Sequence, residues 1–277
     1  MRRYLLSFGI VFSLLACHTS VSSTDSLSAD SRAAGSKEDV AKHTVALVDL
    51  DDKVPHSFCS GVIVARDMVL TAAHCLENRP KKFGLFFGFT IPDSSVDSGI
   101  QIVRSFLVHP HYASATLSTY KVALNHSKEA KGPLPFPPKP LNNIALIRIP
   151  RELPDTHTYT SLAAGDPVTG EALISAGFGC GDASCRNMKD SLQKTSMVAA
   201  SALPDTSHLV LRGLSESGSC RGSSGSPTFM QDGSELKVLA ITSIGRSDCH
   251  FGISADTWVP PYATWIKDSI ETLRQAD

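Results

Sequence analysis

Short apolar runs separated by turn-forming residues dominate the chain from Thr44 onward. Each run is only a few residues long and is bounded by Gly, Pro, Asp or Asn. Runs of this length between turn signals predict strands rather than helices, and many turns favour a barrel or a sandwich. The main runs are Val45–Val48, Leu85–Phe87, Ile102–Val103, Ile144–Ile147, Leu173–Ile174 and Val238–Ile241. The pattern therefore predicts an all-β domain.

Two segments depart from this pattern. Near the C-terminus, apolar residues recur at helical spacing from Tyr262 to Leu273, which predicts an amphipathic helix over about 261–275. The segment Gly132–Pro140 is rich in proline, which fixes φ and removes backbone donors. We expect it to form a surface loop with polyproline II character. The alternative is that this segment is bound as a ligand by an adaptor domain.

Composition limits the classes of partner. The chain has 277 residues, of which 42% are hydrophobic and 19% are charged, enough to form a globular core. The net charge of −1 gives no sign of a nucleic-acid partner or a polybasic membrane patch. We expect a monomer, and no motif implies a cofactor.

The N-terminus has the features of an export signal. Met1-Arg2-Arg3 precedes an apolar stretch, Tyr4–Ala16, that is too short to span a bilayer as a helix and fits a signal peptide. The stretch ends in Leu14-Leu15-Ala16-Cys17, which resembles a bacterial lipobox with Cys17 as the acylated residue. The alternative is an ordinary signal with a chance cysteine. We therefore expect residues 1–17 to direct export of a lipoprotein.

Residues 18–39 are rich in Ser, Thr, Ala and Asp and poor in large apolar residues. Such a segment buries little surface, so we expect a flexible tether between the lipid anchor and the domain at 40–277. His18 follows the anchor cysteine where aspartate would indicate retention in the inner membrane. This favours anchorage in the outer membrane of a bacterium, facing the periplasm or the cell surface.

Several short motifs follow one another along the chain, and their order is more informative than any one of them. His74 lies in Thr71-Ala72-Ala73-His74-Cys75, and Ser224 lies in Gly222-Ser223-Ser224-Gly225-Ser226-Pro227. Between them stand Asn142-Asn143-Ile144 and Gly177-Phe178-Gly179, and after them Ser243-Ile244-Gly245 and Tyr262-x-x-Trp265. The ordered set resembles the trypsin/chymotrypsin family of serine proteases. The resemblance implies two six-stranded antiparallel β-barrels, at about 40–150 and 155–260, followed by the C-terminal helix.

The resemblance also implies roles for these residues. His74 corresponds to the general base and Ser224 to the nucleophile, which is inert at neutral pH unless a base takes its proton. The backbone amides of Gly222 and Ser224 correspond to the oxyanion hole. Ser243 and Gly245 would pair with the backbone of a polypeptide substrate as an added strand.

The cysteine count is odd, at seven. Lipidation of Cys17 would leave six for disulfides, which are permitted outside the cytoplasm. The resemblance implies the pairs Cys59–Cys75 and Cys220–Cys249, and leaves Cys180 and Cys185 to pair locally. Metal binding is the weaker interpretation, because no C-x-x-C occurs.

The most consequential departure from the family is Asn143, which stands where aspartate is expected. The aspartate accepts a hydrogen bond from the histidine, whereas an asparagine can present its NH₂ group and hold the wrong tautomer. In the serine-protease template this exchange lowers kcat by about 10⁴. We therefore expect a weakened peptidase that acts through an acyl-enzyme; an inactive pseudoprotease that binds peptides or proteins is the alternative, and a structural lipoprotein a third.

Other departures concern activation and specificity. Ser223 replaces the aspartate that receives a new N-terminus in zymogen-type members, and no Ile-Val-Gly-Gly pattern is present. Both absences indicate a domain without cleavage activation. Gly218 occupies the expected floor of the specificity pocket, so a trypsin-type aspartate is missing there. Asp256 is a candidate for the back of that pocket.

Overall fold

The computed structural model describes residues 36–94, 99–117, 141–179, 191–203, 207–214, 223–245 and 253–276. Several predicted features lie outside these residues: the anchor Cys17, the segment Gly132–Pro140, the cysteines Cys180, Cys185, Cys220 and Cys249, and the glycines Gly218 and Gly222.

Strands dominate the described residues. They are β1 (Thr44–Asp49), β2 (His56–Ala65), β3 (Met68–Thr71), β4 (Phe83–Phe86), β5 (Gln101–Ile102), β6 (Phe106–Val108), β7 (Ala145–Arg148), β8 (Ala172–Phe178), β9 (Leu192–Leu203), β10 (His208–Gly213), β11 (Pro227–Asp232), β12 (Glu235–Gly245) and β13 (Ile253–Trp258). Helical segments include α1 (Lys37–Ala41), α2 (Ala73–Glu77), a 3₁₀ turn (Pro260–Tyr262) and the C-terminal helix (Ala263–Gln275), and residues 114–117 are also helical. The prediction of an all-β domain with a C-terminal helix is confirmed.

The first seven strands form one antiparallel sheet in the order β5-β4-β1-β2-β3-β7-β6. This differs from the closed six-stranded barrel that the resemblance implied. Residues 103–105 separate β5 from β6 and belong to no strand. The segment before them pairs with β4 and the segment after them with β7, so β5 and β6 form the two edges of the sheet.

The last six strands form a closed antiparallel barrel in the order β10-β13-β12-β11-β8-β9. This agrees with the expected second barrel. The two sheets share a continuous apolar core, in which Phe178 and Phe229 of the barrel join residues of the first sheet such as Leu47 and Phe86. Burial of such a shared core holds the facing sides of the two sheets together, which is where the candidate site lies.

Residues 36–39 were expected to belong to the flexible tether, but they begin an ordered helix. Ser36 and Asp39 form a reciprocal capping box, each side chain accepting the other's backbone N–H at 3.1 Å. Val40 and Ala41 are buried in the core. The polar composition concealed this helix because its stability comes from the cap and from two buried residues.

The C-terminal helix packs by one face, burying Ile266 and Leu273. Arg274 near its end forms a bidentate pair with Asp67, at 2.8 and 2.6 Å. Both side chains are partly exposed, so this pair adds little to stability. Among the described residues, no helix has both the length and the apolar character needed to cross a membrane.

Ser60 of β2 joins the two sheets at the candidate site. It is fully buried, and its Oγ accepts the backbone N–H of Phe178 in β8 at 2.8 Å. Its backbone N–H donates to the carbonyl of Ser224 at 2.8 Å, and its carbonyl accepts the Thr71 hydroxyl at 2.7 Å. One residue of the first sheet thus fixes both the second barrel and the turn that carries Ser224.

Candidate active site

Ser224 lies in a tight turn immediately before β11. The turn is closed by a hydrogen bond from the Ser226 N–H to the Ser223 carbonyl at 2.9 Å. Its third residue, Gly225, has a φ of +78°, a conformation that glycine adopts without steric cost. Ser224 itself is half-buried. The sequence motif folds in this way because only its glycine supplies the required backbone conformation.

Gly225 is also necessary because the turn lies directly against the first sheet. A Cβ at this position would lie 2.2 Å from the Ser60 carbonyl oxygen and 2.3 Å from Thr71 Oγ1. It would also lie 3.2 Å from the backbone nitrogen of Ala72, which caps helix α2. The turn with Ser224 therefore contacts the segment that leads into His74.

The other side of the turn is fixed by β12. The Gly225 N–H donates to the Thr242 carbonyl at 2.8 Å, and the Thr242 N–H donates to the Ser226 carbonyl at 2.9 Å. With the bond from Ser60 to Ser224, backbone hydrogen bonds hold the turn from both sheets. Such bonds to rigid strands keep a nucleophile in one position.

His74 lies in the first turn of α2, directly after the buried end of β3. The next residue, Cys75, forms a disulfide with Cys59 of β2, with the two Cα atoms 6.1 Å apart. This confirms the first of the expected disulfides. The disulfide and the burial of Ala73 and Leu76 fix the helix, and so the backbone of His74, against the sheet.

Asn143 is completely buried between the two sheets. Asn142 before it has a positive φ of 49°, which asparagine tolerates better than most residues. The chain then turns sharply, with the Ile144 N–H donating to the Asn142 carbonyl at 2.8 Å, and enters β7. The Thr257 hydroxyl of β13 donates to the Asn143 carbonyl at 3.2 Å. Both sheets thus fix the backbone that carries this side chain.

The Asn143 amide contacts His74 through both of its polar atoms. Its Oδ1 accepts the backbone N–H of His74 at 3.0 Å and lies 3.2 Å from His74 Nδ1. Its Nδ2 lies 2.9 Å from the same Nδ1 and donates to the Ser243 hydroxyl at 2.7 Å. The sequence predicted the juxtaposition of His74 and Asn143, but it gave no sign that Ser243 holds the amide.

The backbone N–H of His74 determines which way this amide faces. A backbone N–H is only a donor, so it must meet the amide oxygen; the flipped amide would place two donors against each other. With Oδ1 fixed, the NH₂ group has one hydrogen for Ser243 Oγ and one for His74 Nδ1. We infer that Nδ1 is an acceptor, so that neutral His74 carries its proton on Nε2.

Asp256 of β13 is fully buried, and it points to the other face of the strand from its neighbour Thr257, which contacts Asn143. Its Oδ2 accepts the hydroxyls of Thr228 and Thr242 at 3.3 and 3.4 Å. Burial raises the pKa of Asp256 to about 7, against the lowering effect of the hydroxyls and a backbone N–H that surround it. The sequence had suggested Asp256 as a pocket residue, and this environment marks it as an unusual carboxylate.

Two clusters among the described residues bring together three groups that could bind a metal. One is Cys59, His74 and Cys75, but its two sulfurs are joined in the disulfide. The other is Asp49, Asp52 and His56, a partly exposed group remote from Ser224 in the fold. Exposed acidic groups of the second kind are common without a metal, so neither cluster by itself marks a catalytic metal site.

The close approach of Gly225 generates a stability prediction. Gly225→Ala should lower the free energy of unfolding by about 3 kcal/mol or more, since it combines an unfavourable φ with a clash against backbone. Gly233→Ala is the matched control, because Gly233 also has a positive φ, +60°, but open space around its Cβ. That control should lose only about 1 kcal/mol. Urea unfolding measures both, and equal losses would contradict the packing described for Gly225.

The raised pKa of Asp256 predicts a loss of stability on going from acid to neutral pH. An aspartate in the unfolded chain ionises near pH 4, whereas the folded one stays protonated to about pH 7. The free energy of unfolding is therefore unaffected by this group below about pH 4. It falls by about 4 kcal/mol as the pH rises to about 7. Asp256→Asn should remove this part of the pH dependence, and the exposed Asp232→Asn should keep it. Denaturant unfolding at pH 4.5 and 8 tests this, and parallel profiles for all three proteins would contradict it.

Comparison with known proteins agrees with this geometry. A family model described as Trypsin matches residues 35–266. Rat granzyme M is 25% identical over 237 residues, covering 85% of this chain and 88% of that protein. Mouse kallikrein 1-related peptidase b22 is 24% identical over 241 residues, covering 82% of this chain and 83% of the kallikrein-related chain.

The fold is also found among solved structures. Mouse neuropsin, a serine protease, superposes with a TM-score of 0.60 at 23% identity, covering 83% of this chain and 95% of neuropsin. At this identity the likeness shows the fold alone. The family match spans most of the chain, and it includes the segments of His74, Asn143 and Ser224. The chain therefore belongs to the trypsin family of serine proteases.

Proposed function

We propose that this protein is a serine-type endopeptidase that hydrolyses peptide bonds through an acyl-enzyme, with a rate limited by Asn143. The observation that carries the proposal is the hydrogen bonding of His74 to the buried Asn143 amide beside the turn of Ser224. Family membership supports action on polypeptides. The proposal extends this to the individual roles of the three residues.

In the proposed mechanism, Ser224 Oγ attacks the substrate carbonyl while His74 Nε2 takes its proton. The tetrahedral oxyanion would be held by the backbone amides of Ser224 and Gly222, an assignment that rests on the sequence motif. His74 then returns the proton to the leaving amine, and water releases the acyl group by the same steps. Gly225 keeps the Ser224 turn in the required conformation throughout.

Asn143 obstructs the first of these steps. If neutral His74 carries a proton on Nε2, that atom has no lone pair for the Ser224 proton. The histidine must first move its proton to Nδ1, where the proton needs an acceptor. The Asn143 Oδ1 can serve only if it gives up its bond to the His74 backbone N–H or accepts from that N–H and from Nδ1 at once. Asparagine also lacks the charge that stabilises the imidazolium. Loss of both effects accounts for a decrease of about 10⁴ in kcat relative to an aspartate.

A second candidate function is a binding module without catalysis. The contact that favours it is the approach of Asn143 Nδ2 to His74 Nδ1 at 2.9 Å, which disfavours the Nδ1–H tautomer, the form whose Nε2 could take the serine proton. The strand segment Ser243–Gly245 would still bind extended peptides. On this alternative, peptide affinity is retained and no acyl-enzyme forms.

Replacing Asn143 by aspartate separates the two functions. Asn143→Asp should raise kcat/KM toward peptide substrates by about 10³- to 10⁴-fold and accelerate labelling of Ser224 by a fluorophosphonate. Asn142→Asp is the matched control, since it adds the same charge one residue away but its side chain contacts Tyr262 and His111 instead of His74. The control should leave both rates close to those of the wild type. An unchanged rate in Asn143→Asp, with peptide affinity intact, would favour the binding module.

The proposed location is a bacterial membrane, through a lipid on Cys17. The support is the apolar stretch ending in Leu14-Leu15-Ala16-Cys17, which lies outside the described residues. Acylation with two or more chains would hold a domain of this size stably at a membrane. Cys17→Ser in the full chain should move the protein from the membrane fraction to the soluble fraction. Retention of the variant in the membrane fraction would contradict the anchor.

A further inference from the structure

A cleft of about 600 Å³ opens on the first sheet, where the chain crosses from the β5 edge to the β6 edge. Before the crossing, the Val103 N–H donates to the Phe83 carbonyl of β4 at 3.1 Å. After it, the Ser105 carbonyl accepts the Arg148 N–H of β7 at 3.0 Å. Arg104 lies between these two pairings and lines the cleft.

Three arginines converge on this cleft. Arg104, Arg148 and Arg151 all line it, and none of the described residues that line it is a carboxylate. Asp67 and Glu152 line a neighbouring depression instead. A cleft lined by charges of one sign concentrates the electrostatic field and attracts counter-ions. The arrangement is therefore suited to binding an anion.

The protein itself offers these arginines mainly neutral acceptors. Arg148 donates to a carbonyl at the end of the C-terminal helix at 2.9 Å, and Arg151 donates to the Ile100 carbonyl at 3.3 Å. The charge of Arg148 also helps to lower the pKa of Asp67, but that carboxylate already holds Arg274 in a bidentate pair. A guanidinium carries five N–H donors, so Arg151 retains donors for a ligand.

The buried side chain of Gln101 joins the two walls of the cleft. Gln101 lies in β5 and is only 5% exposed. Its Oε1 accepts the Arg151 N–H at 3.0 Å, and its Nε2 donates to the Glu152 carbonyl at 3.2 Å. These bonds hold the segment after β7 against β5. The backbone that carries one of the three arginines is thus fixed by a buried polar group, as a preorganised binding site requires.

Two isoleucines lie beside the arginines. Ile100, Ile102 and Arg104 alternate along extended chain, so their side chains share one face, and all three line the cleft. Ile102 is 45% exposed. A small inorganic anion would leave these apolar groups in water, whereas the first carbons of an acyl chain would cover them. The combination favours an anion that also carries an apolar part.

We propose that this cleft binds a phosphate group carried by the headgroup of an anionic phospholipid. The planar guanidinium groups of Arg104 and Arg151 would donate paired hydrogen bonds to the phosphate oxygens, a geometry that arginine provides and lysine does not. Arg148 would add a third positive charge, and Ile102 would contact the start of an acyl chain. Bound in this way, the domain would present the β5 side of its first sheet to a membrane.

This site goes beyond the proposed peptidase function and is separate from it. Strand β7 leads from the Asn143 segment to Arg148, so its length places the cleft about 10 Å or more from Asn143. The net charge of −1 gave no sign of the site, because the three arginines are far apart in sequence and acidic residues elsewhere offset their charge. Only the fold brings them together.

A short-chain lipid that stays monomeric in water tests the proposal. Dihexanoyl phosphatidylglycerol would be titrated by calorimetry into the full chain with Cys17→Ser, so that no acyl group on the protein competes. It should bind about tenfold or more tightly than glycerol phosphate, which lacks acyl chains, and than dihexanoyl phosphatidylcholine, which lacks the net negative charge. Equal affinity for glycerol phosphate would assign the cleft to soluble phosphates and overturn the lipid. Equal affinity for phosphatidylcholine would overturn the role of the arginines.

Substitution of the arginines in the same background locates the binding. Arg104→Gln and Arg151→Gln should each weaken phosphatidylglycerol binding about tenfold or more, since each removes charge-assisted hydrogen bonds. Arg212→Gln is the matched control, because it removes an exposed arginine from β10 in the other sheet, and it should bind as the parent does. The three side chains are exposed, so the variants should fold, which urea unfolding verifies. Equal affinities in the three variants would overturn the proposal. None of these measurements uses peptide hydrolysis, so the result is independent of the proposed peptidase.

Discussion

The backbone N–H of His74 is the constraint on which the candidate site depends. It can only donate, and it meets the buried Asn143 amide at 3.0 Å. That contact fixes the amide oxygen, directs the NH₂ group toward the histidine ring and the Ser243 hydroxyl, and thereby sets the tautomer of His74. An aspartate in the same place would accept from the backbone N–H and from Nδ1 at once. In the proposed mechanism, the difference from an aspartate-containing site thus lies in one nitrogen atom that occupies the place of an oxygen.

The rest of the fold holds that contact in place. Ser60 connects the first sheet to β8 and to the Ser224 turn, and the disulfide Cys59–Cys75 fixes the helix of His74. Gly225 lets the turn approach the Ser60 carbonyl more closely than any side chain would permit. Because both sheets contribute bonds to one turn, the geometry of the site and the stability of the domain depend on the same residues.

Much of this could be predicted from local sequence. The apolar runs predicted the strands, and the helical spacing after Tyr262 predicted the last helix. The orientation of the Asn143 amide could not be predicted, since it depends on atoms 69 and 100 residues away in sequence. Helix α1 was missed because two buried residues and a cap outweigh a polar composition. The run Ile102–Val103 predicted a strand near β5, but the interruption at residues 103–105 before β6 has no local sequence signal.

The tautomer of His74 is the most direct test of this account. Long-range ¹H–¹⁵N NMR on protein labelled with ¹⁵N-histidine distinguishes a protonated ring nitrogen from one that bears a lone pair. The account predicts that neutral His74 carries its proton on Nε2 in the wild type and on Nδ1 in Asn143→Asp. A wild-type spectrum with the proton on Nδ1 would contradict it, because Asn143 would then orient the histidine as an aspartate does.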